Sequence, residues 1–175
     1  WLTNNGPIVR RFEKQLSGYF ETDNLCLFNN GTLALQIALQ GMGISGEVIT
    51  TPYTFVATSH ALFWNKVRPV FVDIDPATGN IDPEKVQQAA LDLSQGGAPA
   101  RRWLPRRGAE ATGRLKAILP VDVFGQPADL DPILQTARRY RLAVIEDACE
   151  ALGAEYRGRK AGTLGDMGVF AFYPN

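Results

Sequence analysis

The sequence predicts an α/β protein: a mainly parallel sheet with helices on both faces. Three observations lead there. Short apolar bursts alternate with helix-like segments along the chain. The bursts are continuously apolar, as strands covered on both faces are. Asn30, Pro52, Asp73 and Asp147 each follow an expected strand, and parallel sheets present their ligands at the carboxyl ends of strands.

Each element has its own reason. Leu25-Cys26-Leu27-Phe28 is a short apolar run and a first strand candidate. Asn30-Gly31-Thr32 then leads into Leu33-Ala34-Leu35-Gln36-Ile37-Ala38-Leu39, whose small and aliphatic residues suit a buried helix closed by Gly41 and Gly43. Val48-Ile49-Thr50-Thr51 is β-branched, reads as a second strand and is stopped by Pro52. A helix is expected from about Thr54 to Trp64. Pro69-Val70-Phe71-Val72 is a third strand, running into Asp73-Ile74-Asp75-Pro76. Asp82-Pro83-Glu84 opens a helix, with Asp as cap and Pro in the first turn. Lys116 to Val121 is a strand, Asp129 to Tyr140 a polar-faced helix, and Leu142 to Glu146 a strand ending at Asp147. Val169 to Phe172 is the last strand. No internal repeat is visible.

The chain has 175 residues, the size of one domain, with 45% hydrophobic and 21% charged residues. Eighteen Lys and Arg balance eighteen Asp and Glu. That balance argues against a general nucleic-acid or membrane binder. No apolar run approaches a membrane span, no basic-then-apolar leader follows Trp1, and the expected location is cytoplasmic. Cys26 and Cys149 stand far apart in apolar surroundings and read as buried thiols of a reducing compartment. With one histidine, His60, and two separated cysteines, neither a metal site nor a Cys–His dyad is expected. Ser94 to Leu115 breaks the pattern. It is rich in Gly and Arg, carries net +4, and reads as a solvated loop, with contact to an anionic substrate as the second reading. The remainder of the chain is then −4.

Three places could carry chemistry. Asn30, Gly31 and Thr32 open a helix whose free N–H groups suit a phosphate; the plainer reading is a capped turn. Glu146-Asp147 puts carboxylates at the end of a buried strand, where each needs a partner. A metal, a helix N-terminus or a protonated heterocycle would serve Asp147, or it caps the next segment. Phe55, just after Pro52, suits stacking on a ligand ring or core packing. No P-loop and no Gly-x-Gly-x-x-Gly pattern is present.

Taken together the segments resemble the DegT/StrS-type sugar-nucleotide aminotransferases. The resemblance rests on Trp1-Leu2-Thr3-Asn4-Asn5-Gly6-Pro7, Asn30 to Leu35, Glu47 to Thr58, and Pro69 to Pro76. It continues through Leu119-Pro120-Val121, Phe124-Gly125-Gln126-Pro127, Ile145 to Ala154, Gly165-Asp166 and Phe170 to Asn175. It covers nearly the whole chain outside the Arg-rich loop, in family order.

The resemblance implies the large domain of a fold-type I, pyridoxal 5'-phosphate-dependent transferase. Residues 1–175 would be part of that domain, with 94–115 as an insertion. Asp147 would pair with the pyridine nitrogen, Phe55 would stack on the ring, and Asn30, Gly31 and Thr32 would help hold the phosphate. Glu150 falls where the family places a side chain, often His or Gln, facing the phenolic oxygen. Ala171 falls where many members carry a phosphate-binding Ser, leaving that contact to a residue such as Asn175. Thr3 and Asn5 would lie near the substrate. The family's catalytic lysine is expected immediately after Asn175, so no catalytic residue is expected within the chain. The small carboxy-terminal domain is expected to be missing as well. The implied partners are a nucleotide-sugar substrate, an amino-acid donor such as glutamate, and a second subunit in a homodimer. The implied activity of the complete protein is transamination of a keto sugar nucleotide; the 175 residues alone are expected to be inactive. A sugar dehydratase of the same fold, with His in place of the lysine, and a non-catalytic ligand-sensing relative are the alternatives.

Overall fold

The computed structural model describes residues 5–104 and 114–172. Pro7–Phe20 forms α1 and Gly31–Gly41 forms α2. Then come β1 (Glu47–Thr50), α3 (Val56–Trp64), β2 (Arg68–Phe71), α4 (Pro83–Gln95), α5 (Gly97–Arg101) and β3 (Leu115–Ile118). A 3-10 turn over Val123–Gly125 precedes α6 (Leu130–Tyr140) and β4 (Ala143–Asp147). The hairpin strands β5 (Glu155–Tyr156) and β6 (Arg159–Lys160), then β7 (Met167–Val169), complete the described chain.

Five strands make one parallel sheet in the order β2-β1-β3-β4-β7. Its period of two decides which helices cover which face. Val48, Ala117 and Ile145 pack with Leu35 and Leu39 of α2 and Ala61 and Leu62 of α3. Their chain neighbours Ile49, Ile118 and Val144 pack instead with Val86 and Ala89 of α4 and Ile133 and Ala137 of α6. Both faces are therefore buried, which is why these strands carry no polar alternation. Each fully buried aliphatic side chain contributes roughly 1.5–3 kcal/mol of transfer free energy to the fold.

The helix signals act as their chemistry requires. Asp82 accepts hydrogen bonds from the Glu84 and Lys85 N–H groups, with Pro83 in the first turn of α4. Asp131 begins α6 and Arg138 and Arg139 end it, matching the helix dipole.

Several expectations are corrected. Leu25–Phe28 is not a strand: the sheet ends at β2 and β7, and these residues have no regular secondary structure and no ladder. Asn30 therefore follows a loop rather than a strand. Cys26 is exposed, not buried, because that segment stays outside the core; Cys149 is half-buried. The 94–115 segment is not structureless at its start. Asp92 on α4 is a buried carboxylate that accepts from Trp103 Nε1 (2.7 Å) and Gln88 Nε2 (3.0 Å) and pairs with Arg102. These contacts fold α5 back on α4, while Arg106, Arg107 and Glu110 lie outside the described residues. The last strand, β7, falls at Met167–Val169 rather than 169–172. Elements such as α1 and the β5–β6 hairpin lie where the sequence reading places none. Pro7 at the first turn, and Phe12, Leu16 and Phe20 four apart, are the signals for α1. Arg157-Gly158, both with positive φ, is the signal for the hairpin.

Candidate active site

The chain leaves β1 for β2 on one side, and β3 then enters on the other side of β1. Segments that follow β1 and β3 thus diverge and leave a crevice at the carboxyl end of the sheet. An open cleft of about 1820 Å³ lies there. It is lined by Asn30, Gly31, Thr32, Phe55, Asp147 and Glu150, and so joins all the expected cofactor-contact residues. Asn5 is not on its wall; its side chain accepts from Arg10 Nε ahead of α1. Thr3 and Asn175 lie outside the described residues.

Asp147 ends β4 and is 5% exposed. Its Oδ2 accepts from Thr58 Oγ1 at 2.6 Å, and Thr58 Oγ1 lies 2.8 Å from Thr54 Oγ1. Its Oδ1 takes a longer hydrogen bond, 3.4 Å, from the Cys149 N–H. All these partners are neutral, and no salt bridge among the described residues reaches it. Burial raises its pKa, against the pull of Cys149 and Thr58. A buried carboxylate held by neutral donors alone is costly, and a cationic N–H would complete it. Thr54 and Thr58 had not been singled out, though their spacing of four places both on one side of a helix start.

The neighbouring Glu146 faces the other way. Its Oε2 accepts from the Gly162 N–H (2.8 Å), and its Oε1 from the N–H groups of Leu164 (2.7 Å) and Gly165 (2.5 Å). Its pKa is raised by burial and lowered again by those three donors. The two adjacent carboxylates thus have separate tasks: Glu146 fastens the loop into β7, and Asp147 enters the cleft.

At the start of α2 the Asn30 side chain caps the helix, accepting from the Leu33 N–H at 2.8 Å. The N–H groups of Gly31 and Thr32 have no acceptor among the described residues, and Thr32 lines the cleft. Gly31 has a packing reason as well. A Cβ there would stand 3.2 Å from both Cys149 Sγ and Ala171 Cβ. Phe55 is 65% exposed, so core packing is excluded as its role. His60 is on the surface of α3, 5.7 Å between ring centres from Trp64. Lys160 is on the cleft wall with its ammonium against the Tyr19 ring.

Glu150 lines the cleft and also has a partner within the fold. Its Oε2 accepts from the Phe124 N–H at 2.8 Å. Asp122, also missed, is 1% exposed on the cleft wall. Its Oδ1 accepts from the Ala128 N–H and its Oδ2 has no hydrogen bond. Burial raises its pKa to about 7, the Ala128 N–H lowers it, and Glu146 and Asp147 raise it further. Because the folded-state pKa exceeds the ordinary 3.8, the native state holds this proton more tightly than the unfolded chain. The resulting stability is full below about pH 4 and is lost as pH rises to about 7. Asp122→Asn, of nearly the same shape, is expected to remove that loss, worth roughly 2–3 kcal/mol between about pH 5 and pH 8. Urea unfolding of the cofactor-free protein at pH 5 and pH 8 measures it; an unchanged pH difference would count against this assignment.

The sequence matches the model of the DegT/DnrJ/EryC1/StrS aminotransferase family over residues 1–175. The chain belongs to that family. Among its relatives, GDP-perosamine synthase of Caulobacter vibrioides is 40% identical over 100% of this chain and 42% of its own length. The dTDP-4-amino-4,6-dideoxy-D-glucose transaminase of Escherichia coli is 42% identical over 91% of this chain and 38% of its own. The chain therefore spans about two fifths of these DegT-family relatives. The solved NtdA of Bacillus subtilis, with the cofactor PMP bound, superimposes with a TM-score of 0.72 at 33% identity, covering 91% of this chain and 32% of that one. The parallel sheet and its flanking helices are those of a fold-type I aminotransferase domain. Among the described residues no helix is long and apolar enough to cross a membrane.

Proposed function

We propose that the complete protein is a pyridoxal 5'-phosphate-dependent aminotransferase of keto sugar nucleotides, with an amino acid such as glutamate as donor. On this reading residues 1–175 are part of the cofactor-binding large domain. The observation that carries it is Asp147, a buried carboxylate with only neutral partners, at the wall of a cleft that also holds an open helix N-terminus and an exposed aromatic. Those residues fit the cofactor's three chemical faces. Asp147 would hold the proton on the pyridine nitrogen, with Thr58 fixing the carboxylate's direction. The Gly31 and Thr32 N–H groups, with Asn30 capping beside them, would receive the phosphate. Phe55 would cover the ring and keep water from that side. When bound, the cofactor supplies an electron sink through its protonated ring.

The lysine that holds the cofactor and moves the proton is assigned to the part of the protein beyond these residues. A homodimer in the cytoplasm is the expected setting. The relatives' names, one GDP-linked and one dTDP-linked, support a nucleotide-sugar substrate and leave the nucleotide as the variable. Adding pyridoxal phosphate to the complete protein is expected to produce an absorbance band at the edge of the visible, which glutamate then removes. A complete protein that never acquires the band would refute the cofactor assignment.

A further inference from the structure

The 122–128 turn is held far more firmly than a connection between a strand and a helix requires. Asn80, 3% exposed, accepts from the Val123 N–H (3.0 Å) and donates to the carbonyls of Gln126 (2.9 Å) and Pro127 (3.1 Å). Asp122 accepts from the Ala128 N–H. Glu150 accepts from the Phe124 N–H, and its own carbonyl lies so close that a Cβ on Gly125 would stand 2.9 Å from it. Two residues far away in sequence, Asn80 and Glu150, thus converge on seven residues that Asp122 also ties from within.

This clamping fixes two consecutive left-handed residues, Phe124 (φ 54°) and Gly125 (φ 79°). Glycine meets that conformation without strain; a bulky phenylalanine does not. Nor does the phenylalanine serve the core, since it is 79% exposed. A conformation disfavoured for its residue, enforced by its surroundings and spent on an exposed aromatic ring, marks a site rather than a structural need. The ring stands edge-on to Tyr53, 6.1 Å between centres and 83° between planes. Tyr53 is itself 45% exposed and rests beside the Gly79 turn that leads into Asn80. Both rings line the same cleft as Asp147 and Phe55.

We infer that Phe124 and Tyr53 form a platform for a ring of the nucleotide-sugar substrate, and that Glu150 and Asn80 are positioning residues that aim Phe124 into the cleft. The inference rests on the proposed function and deepens it. Two rings of such a substrate present an apolar face, the base and the hexose. Either stacks on an aromatic side chain without needing a fixed hydrogen-bond pattern.

The test is equilibrium binding to the complete protein loaded with pyridoxamine phosphate. The probes are a nucleoside diphosphate and the corresponding nucleoside diphosphate hexose, titrated by calorimetry. Phe124→Ala is expected to weaken binding roughly 5- to 100-fold, with Phe124→Trp restoring most of it. Cofactor absorbance and melting temperature should stay as in the parent, since the ring is exposed. Weakening toward both probes assigns the platform to the base; weakening toward the sugar-linked probe alone assigns it to the hexose. Glu150→Gln should weaken binding less than Phe124→Ala and lower the melting temperature, because it loosens the turn. Unchanged affinity for both probes in Phe124→Ala overturns the inference and leaves the proposed function standing, whether or not the oligomeric state shifts. A parent protein that takes up the cofactor but binds neither probe overturns the nucleotide-sugar reading itself, and the platform with it.

Discussion

Asp147→Asn in the complete protein is expected to lower turnover by at least about 100-fold, in line with removing one preorganised electrostatic contact, while raising the melting temperature of the cofactor-free form. The two signs come from one cause. Asparagine keeps the shape and can still accept the Thr58 hydrogen bond. It no longer carries a buried charge whose partners are all neutral, so the empty fold gains stability. It equally cannot hold a proton on a ring nitrogen, so the proposed reaction loses its electron sink. A residue with a purely structural task would show the opposite stability change and no selective loss of rate. Thermal melting with and without cofactor, beside steady-state turnover, separates the two. A variant that melts earlier and turns over normally would sink the proposed role of Asp147.

Glu146→Ala should instead destabilise the fold with or without cofactor, by at least about 3 kcal/mol. Three backbone N–H groups, of Gly162, Leu164 and Gly165, would lose their acceptor in a place that is mostly shut off from water. Each orphaned buried donor costs roughly 1–3 kcal/mol. Glu146→Gln should recover part of this. Its remaining oxygen can serve Leu164 and Gly165, which already share Oε1, while its amide nitrogen turns a donor toward the Gly162 N–H. Urea unfolding gives the stability, and amide hydrogen exchange at 162–165 gives the location. Full protection of those amides in Glu146→Ala would show that another group holds the loop.

Elements with local causes were legible in the sequence. Asp82-Pro83 announces α4, and the β-branched run Val48-Ile49-Thr50 announces a strand. Leu25–Phe28 looks the same and is not a strand, since pairing depends on which edge the sheet leaves free. No property of those four residues carries that information. The site divides along the same line. Asp147 at the end of β4 and Phe55 at the start of α3 could be named from position. Thr58 and Phe124 matter through contacts with Asp147 and Glu150, far away in the chain, and Asp122 through burial that only the fold creates. Glu150 was named for its place in a motif, and its actual partner is a backbone N–H that only the fold brings within reach.

The opposed directions of Glu146 and Asp147 make β4 unusually intolerant of length change. In β4, Ile145, Glu146 and Asp147 pair with Met167, Gly168 and Val169 of β7. A single-residue deletion upstream in β4 would slide that register by one and exchange the two sides. Glu146 would then stand where Ile145 packs, a charge buried against α2 and α3, and Asp147 would face the 162–165 loop, one methylene too short to meet three donors. Substitutions along this strand would be graded in their effects; an insertion or deletion would remove the anchor and the site together.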